Sequence, residues 1–162
     1  MNDKQNELQK IRSIADYQLG KGTGKVLFPD KVNIVLSRNT GRIRHIYLGH
    51  ELLVTLRPTD GMFSLTLVGA KRLIKGVKSP RLWVKVQKDV EPFIEHGKSV
   101  FAKHVVDSDE EIRPQEEVII IGENNRVLAV GKAVLTGREM MAFKHVAAVK
   151  VRRGASEEVK NT

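Results

Sequence analysis

Between Leu82 and Arg152 the chain reads as five strand-length apolar runs, and none is longer than nine residues. They are predicted at Leu82 to Val86, Ser99 to Val106, Glu117 to Ile121, Arg126 to Val134 and Ala147 to Arg152. The intervals hold only two short helical patterns. One, Val90 to Glu95, has Asp89 ahead of it as the expected cap and Gly97 behind it as the stop. The other opens with Thr136-x-x-Glu139, a capping-box spacing. Short strands separated by turn residues, with so little helix between them, predict a compact β-barrel rather than a parallel sheet.

The first half follows a different plan. Leu8, Ile11, Ile14, Ala15 and Leu19 recur at helical spacing from Glu7 to Leu19, with Asn2 or Asp3 available to cap and Gly20 to Gly24 ending the helix. Three strand-like runs follow, Val32 to Ser37, Arg42 to Leu48 and Glu51 to Arg57. Asn39-Thr40-Gly41, Gly49-His50 and Pro58-Thr59-Asp60-Gly61 supply the turns. From Phe63 the chain is expected to open extended and to finish as a short helix near Ile74. A sheet with helices against one face is an α+β architecture. Lys75 to Pro80 joins a helix-stopping glycine to a proline and reads as a linker. The expected division is 1–77, 78–155 and a polar tail at 156–162.

Charge separates the halves further. Residues 1–80 carry 14 Lys and Arg against 6 Asp and Glu, whereas residues 81–162 carry 14 against 13. A net charge of +9 concentrated in one half points to a polyanionic partner, nucleic acid above all. Lys4, Glu7, Lys10 and Arg12 near the start argue against a secretory signal, and no run is long and apolar enough to span a bilayer. A cytoplasmic protein without a membrane partner is expected.

Several chemistries fall away. With no cysteine there is no disulfide framework, thiolate metal site or thiol nucleophile. The five histidines (His45, His50, His96, His104 and His145) are scattered without metal-ligand spacing, so neither a metal nor a cofactor is expected. Gly20-Lys21-Gly22-Thr23-Gly24-Lys25 imitates a phosphate loop, but a Walker A motif needs Gly at 19 and Ser or Thr at 26, where Leu19 and Val26 stand. It remains either a plain helix-ending loop or a flexible phosphate contact. Asp107 to Glu111 and Glu116-Glu117 read as solvated acidic loops rather than an acid–base pair. No serine sits in a nucleophile elbow. The chain is expected not to be an enzyme.

Positive charge is the remaining signal. Arg38, Arg42, Arg44 and Arg57 cluster around the first hairpins, where guanidinium forks suit phosphate. A strict alternation would put Arg42 and Arg44 on one face with Ile46 and Leu48. Lys71, Arg72, Lys75, Lys78 and Arg81 form a second cluster running into the linker. In Gly97-Lys98-Ser99-Val100-Phe101-Ala102-Lys103-His104-Val105, one aromatic stands among basic residues. That segment reads either as a platform for an RNA end or as an ordinary barrel strand with Phe101 in its core.

Several stretches together resemble a PUA domain, a pseudo-barrel of pseudouridine synthases and archaeosine transglycosylases. They are Glu91-Pro92-Phe93-Ile94, Ser99-Val100-Phe101-Ala102-Lys103, Ile112-Arg113-Pro114 and Leu128-Ala129-Val130-Gly131-Lys132-Ala133, then Gly137-Arg138-Glu139-Met140 and Ala148-Val149-Lys150-Val151-Arg152. The wording is most similar to the C-terminal end of archaeal tRNA-guanine transglycosylase. His104, and Val146-Ala147 before the last strand, depart from the glycines common in that family. Ser37-Arg38, Thr40 to Arg44 and Leu56 to Gly61 resemble the pre-PUA domain of the same proteins. Within these residues the catalytic barrel and zinc-binding part of the transglycosylase have no counterpart. The resemblance implies a non-catalytic, free-standing binder of structured RNA, tRNA or rRNA, that holds a stem beside a single-stranded end. It would use Lys98, Phe101, Lys103, His104, Arg138, Lys150 and Arg152, with Arg38, Arg42, Arg44 and Arg57 on the backbone. An adaptor docking on an RNA-modification enzyme or a ribosomal subunit is the other reading.

Overall fold

Gly20 and Gly22, with φ of +118° and +87°, fold two helices against each other at the start of the chain. The computed structural model describes residues 3–157. Helix α1 (Asp3–Leu19) buries Leu8, Ile11, Ala15 and Leu19 on one stripe, and α2 (Thr23–Leu27) packs back on it. Gly24 is the close-approach residue, because a Cβ there would collide with the Arg12 carbonyl. Asn2, one of the two expected caps, lies outside the described residues.

Four strands follow as an antiparallel meander: β1 (Asn33–Leu36), β2 (Ile43–Leu48), β3 (Glu51–Leu56) and β4 (Phe63–Leu65). Ile46, Val54 and Leu65 stand opposite one another across three strands and are all buried. Helix α3 (Leu67–Gly76) packs over β3 and β4, its first turn capped by Thr66, whose hydroxyl accepts from the Gly69 N–H at 3.1 Å. Gln18 ties α1 to the sheet edge, donating to the Phe63 carbonyl at 2.9 Å and accepting from its N–H at 2.7 Å. The chain divides into two compact units, Met1–Pro80 and Arg81–Thr162.

The second unit is a six-stranded sheet ordered β6-β10-β9-β8-β5-β7. Its strands are β5 (Trp83–Val86), β6 (Val100–Phe101), β7 (Val105–Ser108), β8 (Glu117–Ile121), β9 (Val127–Ala133) and β10 (Ala147–Gly154). Among the described residues, β5 and β8 are the one parallel pair of this sheet. The edge strands β6 and β7 are consecutive in the chain, joined by one 3₁₀ turn at Ala102–His104. That connection curls the sheet towards closure. The expected single strand from Ser99 to Val106 is therefore two strands serving opposite edges. Every residue of β8 is buried, and Ile119, Ile120, Leu128 and Val130 fill the interior.

Helix α5 (Gly137–Ala142) carries both halves of the expected capping box: Glu139 N–H to Thr136 Oγ1 at 3.1 Å and Thr136 N–H to Glu139 Oε1 at 2.9 Å. Helix α4 (Glu91–Glu95) differs from expectation. Asp89 does not cap it; it sits inside a preceding 3₁₀ turn (Lys88–Val90), and Pro92 occupies the first helical turn instead. Of the expected polar tail, 158–162 lies outside the described residues, whereas Ser156 and Glu157 are fixed. Ser156 Oγ donates to Glu95 Oε2 at 2.9 Å, and the Gly154 N–H donates to Glu157 Oε1 at 2.6 Å.

Arg126 locks α4 to the β8–β9 turn by donating to Glu91 Oε1 at 2.8 Å and pairing with Glu95. Burial alone would raise the Glu95 pKa, but hydrogen bonds from Arg126 and Ser156 outweigh it and hold the carboxyl below its ordinary value. A depressed carboxylate contributes stability above its unfolded pKa and loses it as pH falls through the folded value. Arg126→Ala should therefore cost about 1–2 kcal/mol at neutral pH. Melting of both proteins from pH 7 to pH 3 should show the difference shrinking on the acid side. A constant difference would contradict this role.

Candidate functional site

Two hairpin turns of the same construction lie at one end of the first sheet. Between β1 and β2, the Gly41 N–H bonds the Ser37 carbonyl at 2.9 Å; between β3 and β4, the Gly61 N–H bonds the Arg57 carbonyl at 3.0 Å. Gly41 and Gly61 take φ of +70° and +71°, the left-handed position that closes each turn. The first half of α1 borders them, and between lies an open groove of about 1030 Å³. Lys10, Arg42, Arg44 and Arg57 line it with Glu7 as the one carboxylate among the lining residues, and Ile14, Leu36, Ile43 and Leu56 supply apolar surface.

The four expected arginines separate here. Arg38 and Arg42 are exposed and make no side-chain hydrogen bond or ion pair among the described residues. Arg44 Nη1 donates to the Leu56 carbonyl at 3.2 Å. Arg57 is held by Asp60 through Nη2 at 2.9 Å and Nε at 3.2 Å, which makes it chiefly a brace for its own turn. The shared face expected for Arg42 and Arg44 with Ile46 does not form. Val35 opposes His45 and Leu36 opposes Ile43, so Arg44 is the extra residue of a bulge, and Ile43 and Ile46 are both buried.

The glycine-rich segment Gly20 to Lys25 is not a phosphate cradle. Thr23 Oγ1 donates to the Ala15 carbonyl at 2.8 Å, and the Gly24 N–H donates to Asp16 Oδ1 at 2.7 Å. Those donors serve the α1–α2 turn. In the second basic cluster Arg72 is likewise engaged, with Nε on the Val26 carbonyl at 2.8 Å, while Lys71, Lys75 and Lys78 are exposed.

In the second unit, the 3₁₀ turn Ala102–His104 carries the expected segment. Phe101 is 44% exposed, so it is not a core residue. Lys98 and Lys103 are exposed and His104 is half-buried. The turn rests on the chain between α5 and β10: the Ala102 N–H bonds the Val146 carbonyl at 2.9 Å and the Lys103 N–H bonds the Lys144 carbonyl at 3.0 Å. These bonds set exposed Phe143, Lys144, His145 and Val146 beside Phe101 and Lys103. Sequence reasoning missed this second segment. Its signal is an aromatic and two basic residues immediately after a helix end, recognisable only once the two segments are known to adjoin.

Arg138 on α5 and Lys150 on β10 are exposed. Arg152 has a structural duty. Gly131 opposes Val151 while Val130 opposes Arg153, which leaves Arg152 as a bulge residue. Its Nη1 lies 2.7 and 3.1 Å from the two carboxylate oxygens of Glu117, a side chain with no exposed surface. Among the described residues, no group of three or more His, Asp or Glu could hold a metal ion, and no helix is long and apolar enough to cross a membrane.

Residues 9–80 match the patch-forming domain C2 of tRNA-guanine transglycosylase, and residues 82–155 match the PUA domain. The chain is 49% identical over 149 residues to the tRNA-guanine(15) transglycosylase of Methanothermobacter thermautotrophicus, covering 92% of this chain and 23% of that protein. Against the same enzyme of Thermococcus onnurineus it is 45% identical over 147 residues, covering 91% and 25%. It thus spans about a quarter of the length of these curated relatives. A hypothetical protein from Pyrococcus horikoshii has the same fold, with a TM-score of 0.75 at 22% identity over 97% of this chain and 94% of that one. A conserved PUA domain protein from Thermoplasma acidophilum superposes with a TM-score of 0.65 at 20% identity, covering 97% and 93%.

Phe101 and Arg152 should differ in what their truncation costs. Phe101→Ala removes an exposed ring and should cost no more than about 1 kcal/mol. Arg152→Ala takes the Arg152 donor from the buried Glu117 carboxylate and should cost about 3 kcal/mol. Urea denaturation of both variants checks the order, and the reverse order would contradict these placements.

Proposed function

The chain is a PUA-domain protein whose first unit is a C2 domain and which is similar to the C-terminal part of archaeal tRNA-guanine transglycosylases; on that premise we propose that these residues bind structured RNA, tRNA or rRNA, without turnover. One observation carries the reading. Three of the six acids in residues 1–80 are engaged by partners within the unit: Asp16 by the Gly24 N–H, Asp30 by Arg12 and Asp60 by Arg57. Lys10, Lys21, Lys25, Lys31, Arg38 and Arg42 stay exposed. With those acids paired to partners of their own, the exposed cations outnumber the acids left to face them, and such a surface attracts a polyanion from solution. The second unit adds an edge where Phe101 and Phe143 stand among lysines, suited to stacking an unpaired base while gripping its backbone. The role belongs to RNA modification or translation.

A second reading is an adaptor on an RNA-modification enzyme or ribosomal subunit. Phe93, Met141 and Phe143, each at least 46% exposed, favour it, since apolar surface of that kind is also what protein partners cover.

Titration of total tRNA at several salt concentrations tests the first reading. If about four to six phosphates are neutralised, log K should fall with log salt at a slope of several units. Arg38→Ala combined with Arg42→Ala should weaken all RNAs alike and flatten the slope by roughly two phosphates' worth. Lys103→Glu should erase a preference for tRNA with an intact 3′ end over trimmed tRNA. Absence of binding at low salt, or binding indifferent to salt, would contradict the proposal and favour the adaptor.

A further inference from the structure

The groove beside the twin turns combines two features that general backbone binding does not need together. Its rim is cationic, with Lys10 and Arg42 exposed and unpaired among the described residues. Its floor is apolar, and Leu36 at the end of β1 is 43% exposed within it, next to Ile14 and Leu56. An A-form duplex offers phosphates, 2′-hydroxyls and shallow base edges to a protein, while its base faces stay stacked inside. Such a duplex would satisfy the rim and leave the floor wet. An unpaired nucleotide satisfies both, laying its base on the apolar floor and its phosphate against the rim.

Volume and polar groups agree with this occupant. About 1030 Å³ lies at the upper end of small-ligand sites, room for one extruded nucleotide and its flanking phosphates. Asn6 and Asn39 line the groove with exposed amides, and Glu7 offers a carboxylate that can accept from a base N–H. The groove needs no rearrangement to open, because each turn is closed by its own backbone hydrogen bonds and Arg57 is fixed on Asp60.

We propose that this groove binds a single unstacked nucleotide of a structured RNA, such as a bulged or flipped-out base, with the base on Leu36, Ile14 and Leu56 and the phosphate held by Arg42 and Lys10. The proposal rests on the RNA-binding reading and gives it a structural preference. Unpaired nucleotides next to a stem are to be favoured over continuous duplex.

The test uses the full chain and two RNA duplexes that differ only in a single-nucleotide bulge, with 2-aminopurine as the bulged base. The bulged RNA should bind roughly tenfold more tightly than the plain duplex, and the 2-aminopurine fluorescence should change on binding. Leu36→Lys adds a cation to an exposed position, so electrostatics alone would tighten binding of both RNAs. On the present proposal it leaves the plain duplex as tight or tighter and cuts the bulge preference to less than about twofold, whereas Leu36→Met keeps the preference. A melting curve confirms that both variants fold. If both RNAs bind the parent equally, or Leu36→Lys retains the preference, the nucleotide site is wrong while RNA binding stands. If neither RNA binds at low salt, the RNA reading itself fails and this inference falls with it.

Discussion

A single 3₁₀ turn, Ala102–His104, connects the two edges of the six-stranded sheet. Three residues cannot span an open sheet, so the sheet must curl until β6 and β7 come within reach of each other. The cost of that curvature appears elsewhere in the barrel. The ladder between β9 and β10 slips at Arg152, and Gly131 is required opposite because a Cβ would strike the Lys150 carbonyl. The donors of the turn are in turn satisfied by carbonyls at 144 and 146 rather than by strand partners. Closure therefore brings residues 101–104 and 143–146 together. The aromatic and basic edge of this unit is a by-product of how the barrel shuts.

The first unit reaches its surface by a different route. Its acids are used to hold local geometry: Asp60 braces one hairpin turn, Asp16 caps the entry to α2, and Asp30 anchors Arg12. Each such bond engages an acid with a partner other than the exposed lysines. Exposed ion pairs of this kind add little to stability. The unit's net charge of +8 is unchanged by them, and what they decide is which cations stand without a carboxylate beside them.

Much of this was legible in the chain itself. The Thr136–Glu139 capping box, the strand series of the second half, the helix-then-meander order of the first and the glycines at the two hairpin turns all depend on contacts within a few residues. What escaped depends on distant partners. Arg152 looked like a free basic residue because Glu117 is 35 positions away in sequence. Arg42 and Arg44 were placed by strict alternation, which fails at a bulge that nothing local announces. Leu82 adopts φ +67°, unusual for a bulky residue, and the Asp109 carboxylate that accepts its N–H at 2.8 Å comes from the end of the neighbouring strand β7, 27 positions on. The pairing of the Phe101 and Phe143 segments was hidden for the same reason. Local rules therefore found the elements and the candidate cations, but tertiary pairing decided which of those cations remain available.

The central claim is that RNA lies against those available groups and not against cations committed to the fold. Ultraviolet cross-linking of the full chain to total tRNA, followed by mass spectrometry of the RNA-bearing peptides, measures this directly. The account predicts adducts within residues 36–44 of the first unit and within residues 98–104 and 143–146 of the second. Adducts absent from all of these segments, under conditions where the protein retains tRNA, would contradict it.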